Sequence, residues 1–231
     1  MKKLLIVLGV IILSTNLASA DLLITMVMDG DVSSTPRFIE VYNSGASTLD
    51  LGDFRLAQYA NGSTSGSAST LSGSLASGEF AYLMATSSSQ VNFELLYGSG
   101  LAIVNAAQVS GTGNDVYAIR NVSGDILDVF GAVGTDGTDQ NWEYTDASFY
   151  RANANILAQS SFAYANPGAG SPGVGLIGWS YTDVNGMTST TDDYAGTAPI
   201  GGFAPIPEPG CFALFGLGVA SVMMIRRRMS K

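Results

Sequence analysis

From Leu22 onward the chain is a succession of short apolar runs, cut at close intervals by Gly, Ser, Asn and Asp. Residues 22–28 form an apolar run that suits a strand. Residues 37–43 alternate: Phe38, Glu40 and Tyr42 face one way, while Ile39 and Val41 face the other, toward the core. A turn at Asn43-Ser44-Gly45 follows, then apolar runs at 49–51, 54–59, 69–71 and 79–85, with a loose loop at 61–67. Later, 116–119 and 126–130 are joined as a hairpin by Asn121-Val122-Ser123-Gly124-Asp125. One helix is predicted over 87–96, capped by Ser87 or Ser88, with Val91, Leu95 and Phe93 supplying its apolar face. Residues 165–175, rich in Gly and Pro, read either as an ordered coil crossing the domain or as the start of a looser tail. Six or more short strands at this spacing predict an all-β antiparallel sandwich.

Composition narrows the chemistry. Only 13% of the 231 residues are charged, against about 25% in an ordinary soluble domain. There is no His, which removes the commonest catalytic triads and most catalytic zinc sites, and leaves no side chain expected to act as a base near neutrality. A single Cys removes intrachain disulfides and Cys-based metal sites. The net charge of −9 argues against nucleic acid. Six of the ten basic residues lie at the two ends. Between 21 and 203 the only basic residues are Arg37, Arg55, Arg120 and Arg151, so the body is strongly acidic.

The ends read as addresses. Lys2 and Lys3, an apolar run at 4–13 and the small-residue signal Ala18-Ser19-Ala20 predict a signal peptide over 1–20, cleaved to leave Asp21 first. At the far end, Pro207-Glu208-Pro209 is incompatible with helix. An apolar run at 211–225 follows, then Arg226, Arg227 and Arg228. The run makes about 22 Å of helix, a short membrane span that snorkelling arginines make workable. The basic end is expected to stay inside. This three-part segment, 204–231, resembles the PEP-CTERM protein-sorting segment. The resemblance implies a bacterial envelope protein, processed at its C-terminus by an exosortase-type membrane protease. The expected path is export, a membrane-anchored precursor held by the C-terminal helix, then the cell surface or extracellular matrix.

A second resemblance covers the body. Phe38-Ile39-Glu40-Val41-Tyr42-Asn43 and Leu49-Asp50-Leu51-Gly52-Asp53-Phe54 resemble the opening of a lamin tail domain. Gly78-Glu79-Phe80, Gly113-Asn114-Asp115-Val116 and Asp125 with Leu127-Asp128-Val129-Phe130-Gly131 resemble its later elements, in order. Phe54 stands where that family often has Trp. The resemblance implies an immunoglobulin-like antiparallel β-sandwich, taken here as one domain over 21–203, and it makes Glu40 structural.

Candidate chemistry is sparse. Asp136, Asp139, Glu143 and Asp146 place four carboxylates in eleven residues, the candidate calcium ligands; their spacing misses the EF-hand pattern. The competing expectation is a solvated turn whose acids cap backbone amides. Trp142, Trp179, Tyr144, Tyr150 and Tyr181 have rings suited to stacking on sugars, but more often such residues pack a sandwich core. No acid has a sequence-level reason to face Glu40, so no glycosidase pair is read. The expectation is a non-catalytic surface or matrix protein without cofactor, structural or adhesive, with extracellular polysaccharide as a partner. The alternative is a calcium- or glycan-binding receptor module.

Overall fold

The computed structural model describes residues 21–30, 36–85, 87–151, 158–185 and 200–203. In chain order these residues form β1 (Leu22–Met28), β2 (Phe38–Asn43), β3 (Leu49–Asp50), β4 (Phe54–Tyr59), β5 (Ser67–Thr70), β6 (Ser74–Leu75), β7 (Phe80–Met84), α1 (Ser87–Tyr97), β8 (Ile103–Asn105), β9 (Val116–Asn121), β10 (Ile126–Phe130), β11 (Ala147–Arg151) and β12 (Trp179–Asp183). A six-stranded sheet runs β12-β11-β1-β2-β7-β8, and a four-stranded sheet runs β10-β9-β4-β5; β3 and β6 pair separately.

The alternation in β2 decides how the two large sheets meet. Ile39 and Val41 point inward with Leu22, Ile24 and Val27, and join Leu56, Val116, Ala118 and Val129 of the smaller sheet in one buried cluster. The expected sandwich is therefore present, with the predicted residues inside. The 121–125 hairpin also forms: Asn121 N–H donates to Asp125 O, and Gly124 turns at φ +96°, where a side chain would be strained. Residues 158–178 lie ordered over the core, with a turn of 3-10 helix at Phe162–Ala165. Asn141 Nδ2 donates to the carbonyls of Asn166 and Val174, and Phe162 is buried.

Two expectations need correction. The sandwich is not wholly antiparallel, because β8 runs parallel to β7. Parallel neighbours need a long crossover, and α1 is that crossover. The apolar face of α1 is also not the one read from sequence. Phe93 is fully buried, but Val91 is 56% and Leu95 71% exposed. At 100° per residue, Phe93 shares its face with Leu96 and Tyr97, not with Val91 or Leu95. That face packs on Phe38, whose ring meets Phe93 at 5.0 Å and Tyr97 at 5.9 Å. The larger sheet is thus covered on both sides. A second cluster of Met26, Met28, Phe38, Tyr82, Met84 and Phe93 lies on its outer face.

No helix among the described residues is long and apolar enough to cross a membrane. The expected signal helix at 1–20 and membrane helix within 204–231 lie outside the described residues.

Candidate functional site

Glu40 occupies the outer face of β2, where alternation puts it opposite Ile39 and Val41. Beside it, the register between β1 and β2 slips between Ile24 and Met26, and Thr25 falls at the slip. Thr25 Oγ1 donates to Glu40 Oε1 at 2.7 Å, and the Gly201 backbone N–H donates to Oε2 at 2.6 Å. Glu40 is 2% exposed and forms no ion pair among the described residues. Burial pushes its carboxyl up to about 7, against the downward pull of the Gly201 and Thr25 hydrogen bonds. A recess of about 310 Å³ opens beside it, lined by Thr25, Tyr150, Ser180, Gly202 and Phe203 as well as Glu40.

Alternation in the sequence gives Glu40 its face but neither its burial, which raises the carboxyl, nor its bond to Gly201, 161 positions away. A second carboxyl is also shifted. Burial raises Asp29 to about 6, although Arg37 pulls it down through an ion pair of 2.5 Å. A carboxyl near neutrality meets one requirement of general acid–base catalysis. Glu40, however, has its two oxygens occupied by Thr25 and Gly201.

The inner face holds another buried charge. Asp128 of β10 and Arg151 of β11 form an ion pair of 2.5 Å with both side chains fully buried. Both reach the backbone of Ile24: its N–H donates to Asp128 Oδ2 at 2.8 Å, and its carbonyl accepts from Arg151 Nε at 2.6 Å. These side chains satisfy β1 where its register with β11, Met26 to Met28, does not reach. Asp128 also accepts from Gln159 N–H, and the Arg151 guanidinium lies 5.0 Å from the Trp179 ring centre.

The acidic loop is bonded within itself. Asp136 accepts from the amide and hydroxyl of Thr138 and from Asn114 Nδ2, and these hold its carboxyl below the usual range. Glu143 accepts from the Asp139 amide and the Thr145 hydroxyl. Asp146 gives its backbone amide to Asp29. Among the described residues no group of three or more His, Cys, Asp or Glu could hold a metal ion. The rings fall mostly inside. Trp142, Tyr144 and Trp179 are buried around Phe130, and Tyr150 and Tyr181 are half-buried at the margins.

Asn43, the last residue of the Phe38–Asn43 strand, ties this sheet to the next loop. Its Nδ2 donates to the carbonyls of Ser47 and Leu75, and its Oδ1 accepts from Gly45 N–H. Residues 15–134, just over half of the chain, match the Lamin Tail Domain. The chain belongs to the lamin tail domain family. Residues 205–228 match the PEP-CTERM protein-sorting motif, which implies an exported protein processed at the membrane by an exosortase. The families matched are a domain and a sorting signal, neither of them catalytic. No curated protein matches the chain.

Within this lamin tail domain protein, β11 and β12 lie beyond the matched residues yet extend the same sheet from β1. Arg151, Phe149 and Trp179 of these added strands enter the core. Pro207, Glu208, Pro209, Arg226, Arg227 and Arg228 fall inside the matched sorting motif. They and the cleavage-signal residues Ala18 and Ala20 lie outside the described residues.

Proposed function

We propose that this chain is a non-catalytic bacterial surface or extracellular-matrix protein. It is exported through a signal peptide over 1–20 and presents one lamin-tail sandwich of immunoglobulin-like type, 21–203, outside the membrane. Its role is structural or adhesive. The single observation that carries the reading is the sorting-motif match at 205–228, in a chain whose residues 15–134 match the Lamin Tail Domain. Pro207 and Pro209 disfavour helix on both sides of Glu208, and an extended strip is what a protease groove requires. Arg226, Arg227 and Arg228 hold the inner end of the helix and set the depth of that strip. An exosortase-type protease cuts near Pro209 and releases or transfers the acidic body.

Mass spectrometry of the mature protein from its native host tests this. The expected mature form ends near Pro209, and Glu208→Ala accumulates an uncleaved, membrane-bound form. A mature protein that retains Lys231 would refute the processing step.

A further inference from the structure

The body holds four arginines, and two of them are matched by acids: Arg37 pairs with Asp29 and Arg151 with Asp128. The other two stand side by side. Arg55 of β4 is the register partner of Arg120 of β9. Directly paired residues share a face, so alternation turns both away from Leu56 and Ile119, which lie in the core. The same row continues to Thr70 of β5 on one side and Ile126 of β10 on the other. Opposed side chains leave their strands about 5 Å apart, and like charges there repel. Neither arginine forms an ion pair among the described residues. Asp53 pairs with neither, and Asp115 and Asp125 are bonded to Gln58 and Asn121. Arg120 is held against the hairpin turn: its Nε donates to the Gly124 carbonyl at 2.7 Å, and a side chain at Gly124 would meet its Nη2 at 2.7 Å. Arg55 is half-buried, and its Nε is sealed from solvent without an acceptor among the described residues. An N–H left so is costly.

We propose that Arg55 and Arg120 form a binding site for the carboxylate of an acidic sugar, a uronate unit within an extracellular polysaccharide. The choice of a polymer rests on the adhesive reading above. A guanidinium fork gives a carboxylate two parallel N–H bonds, and a carboxylate set between two arginines also cancels their repulsion. The surroundings decide which carboxylate. The rest of the body is strongly acidic, so a densely charged partner, whether nucleic acid or acidic polypeptide, is repelled. A uronate flanked by neutral sugars brings one negative charge among many hydroxyls. β5 suits those hydroxyls. It is the edge of its sheet, with an unpaired strand side, and the exposed Thr70 stands beside Arg55.

Titration calorimetry on the full chain in detergent tests the site, with a hexasaccharide alternating glucuronate and N-acetylglucosamine as the probe. Wild type should bind it, more weakly as salt rises. Reducing the probe's carboxylates to alcohols should abolish binding. Arg55→Gln and Arg120→Gln should each weaken binding at least about tenfold, the worth of a hydrogen bond to a charged group, while melting like wild type. Arg55→Lys keeps the charge without the fork and should weaken binding severalfold; it decides the matter if Arg55→Gln fails to fold. Arg37→Gln removes a cation elsewhere and should leave the affinity unchanged. A wild type that does not bind the probe overturns the proposal, as does equal affinity for the reduced probe. Unchanged affinity in both Gln variants overturns it too. Triglutamate bound as tightly as the probe overturns the assignment to a sugar acid. A mature protein that retains Lys231 overturns the sorting reading alone, because the calorimetry reads the site on purified protein.

Discussion

Asp128 and Glu40 are both sealed carboxylates, one on the inner and one on the outer side of the six-stranded sheet. Asp128 has a guanidinium at 2.5 Å and two backbone amides, so its charge is compensated where it stands. Among the described residues Glu40 has one hydroxyl and one amide, and its carboxyl rises to about 7. Equal burial has opposite consequences. The inner acid is held in an ion pair and braces β1; burial raises the carboxyl of the outer acid to about 7. The partners also differ in kind. Arg151 and Asp128 belong to strands of the two sheets, whereas Gly201 belongs to residues 200–203, which lie outside both sheets.

The comparison is broken most severely by a buried acid with no partner at all. Ile39→Asp places one in the inner cluster and should prevent folding, a loss of more than about 4 kcal/mol. The expected result is aggregated or degraded protein; secretion and melting like wild type would mean that the strand faces the other way. Arg151→Met comes next. It leaves Asp128 buried without its cation and should cost about 3–5 kcal/mol, read from the midpoint of urea unfolding.

Glu40→Gln should move the other way. The native carboxyl lies above its unfolded value of 4.5, at about 7, so the folded state binds more protons between those limits. The contribution is fully present below about pH 4.5 and is lost as pH rises through 7. Glutamine removes that loss and should raise stability at pH 8 by up to about 3 kcal/mol, with little change at pH 4.5. The hydrogen bonds can be kept. The amide oxygen accepts from Gly201 while its NH₂ donates to Thr25 Oγ1, whose own proton turns to the Glu40 carbonyl at 3.3 Å. Melting curves at both pH values check the sign. The smallest effect belongs to the outer side of α1. Leu95→Ser should change stability by less than about 0.5 kcal/mol, while Phe93→Ala should lose about 3–5 kcal/mol. Equal losses at the two positions would return α1 to the orientation expected from sequence.

What was legible in the sequence was what local alternation and turn chemistry determine. Ile39 and Val41 point inward, the 121–125 turn closes a hairpin, and a helix starts at Ser87. The ordered alternation of β2 identifies its two faces but cannot say that both are covered. That depends on α1 and on residues 200–203, which arrive from far along the chain. The three residues of β8 are too few to show a period, so its parallel pairing was invisible. Arg151 and Asp128 are 23 positions apart with no motif between them, and only the fold brings them together. At the candidate site the residues were visible and their states were not. Glu40 was visible as a strand residue of the lamin tail domain, but its raised carboxyl follows from burial that only the fold provides.

Leu23 of β1 pairs with Tyr42 of β2, and Phe203 rests on that same Tyr42. The beginning of the first strand and Phe203 therefore converge on one end of a single strand. Tension drawn through residue 203 would load the aromatic seat and the Gly201 bond before any sheet ladder. Residues 200–203 would peel as a mechanical fuse while the sandwich stayed closed.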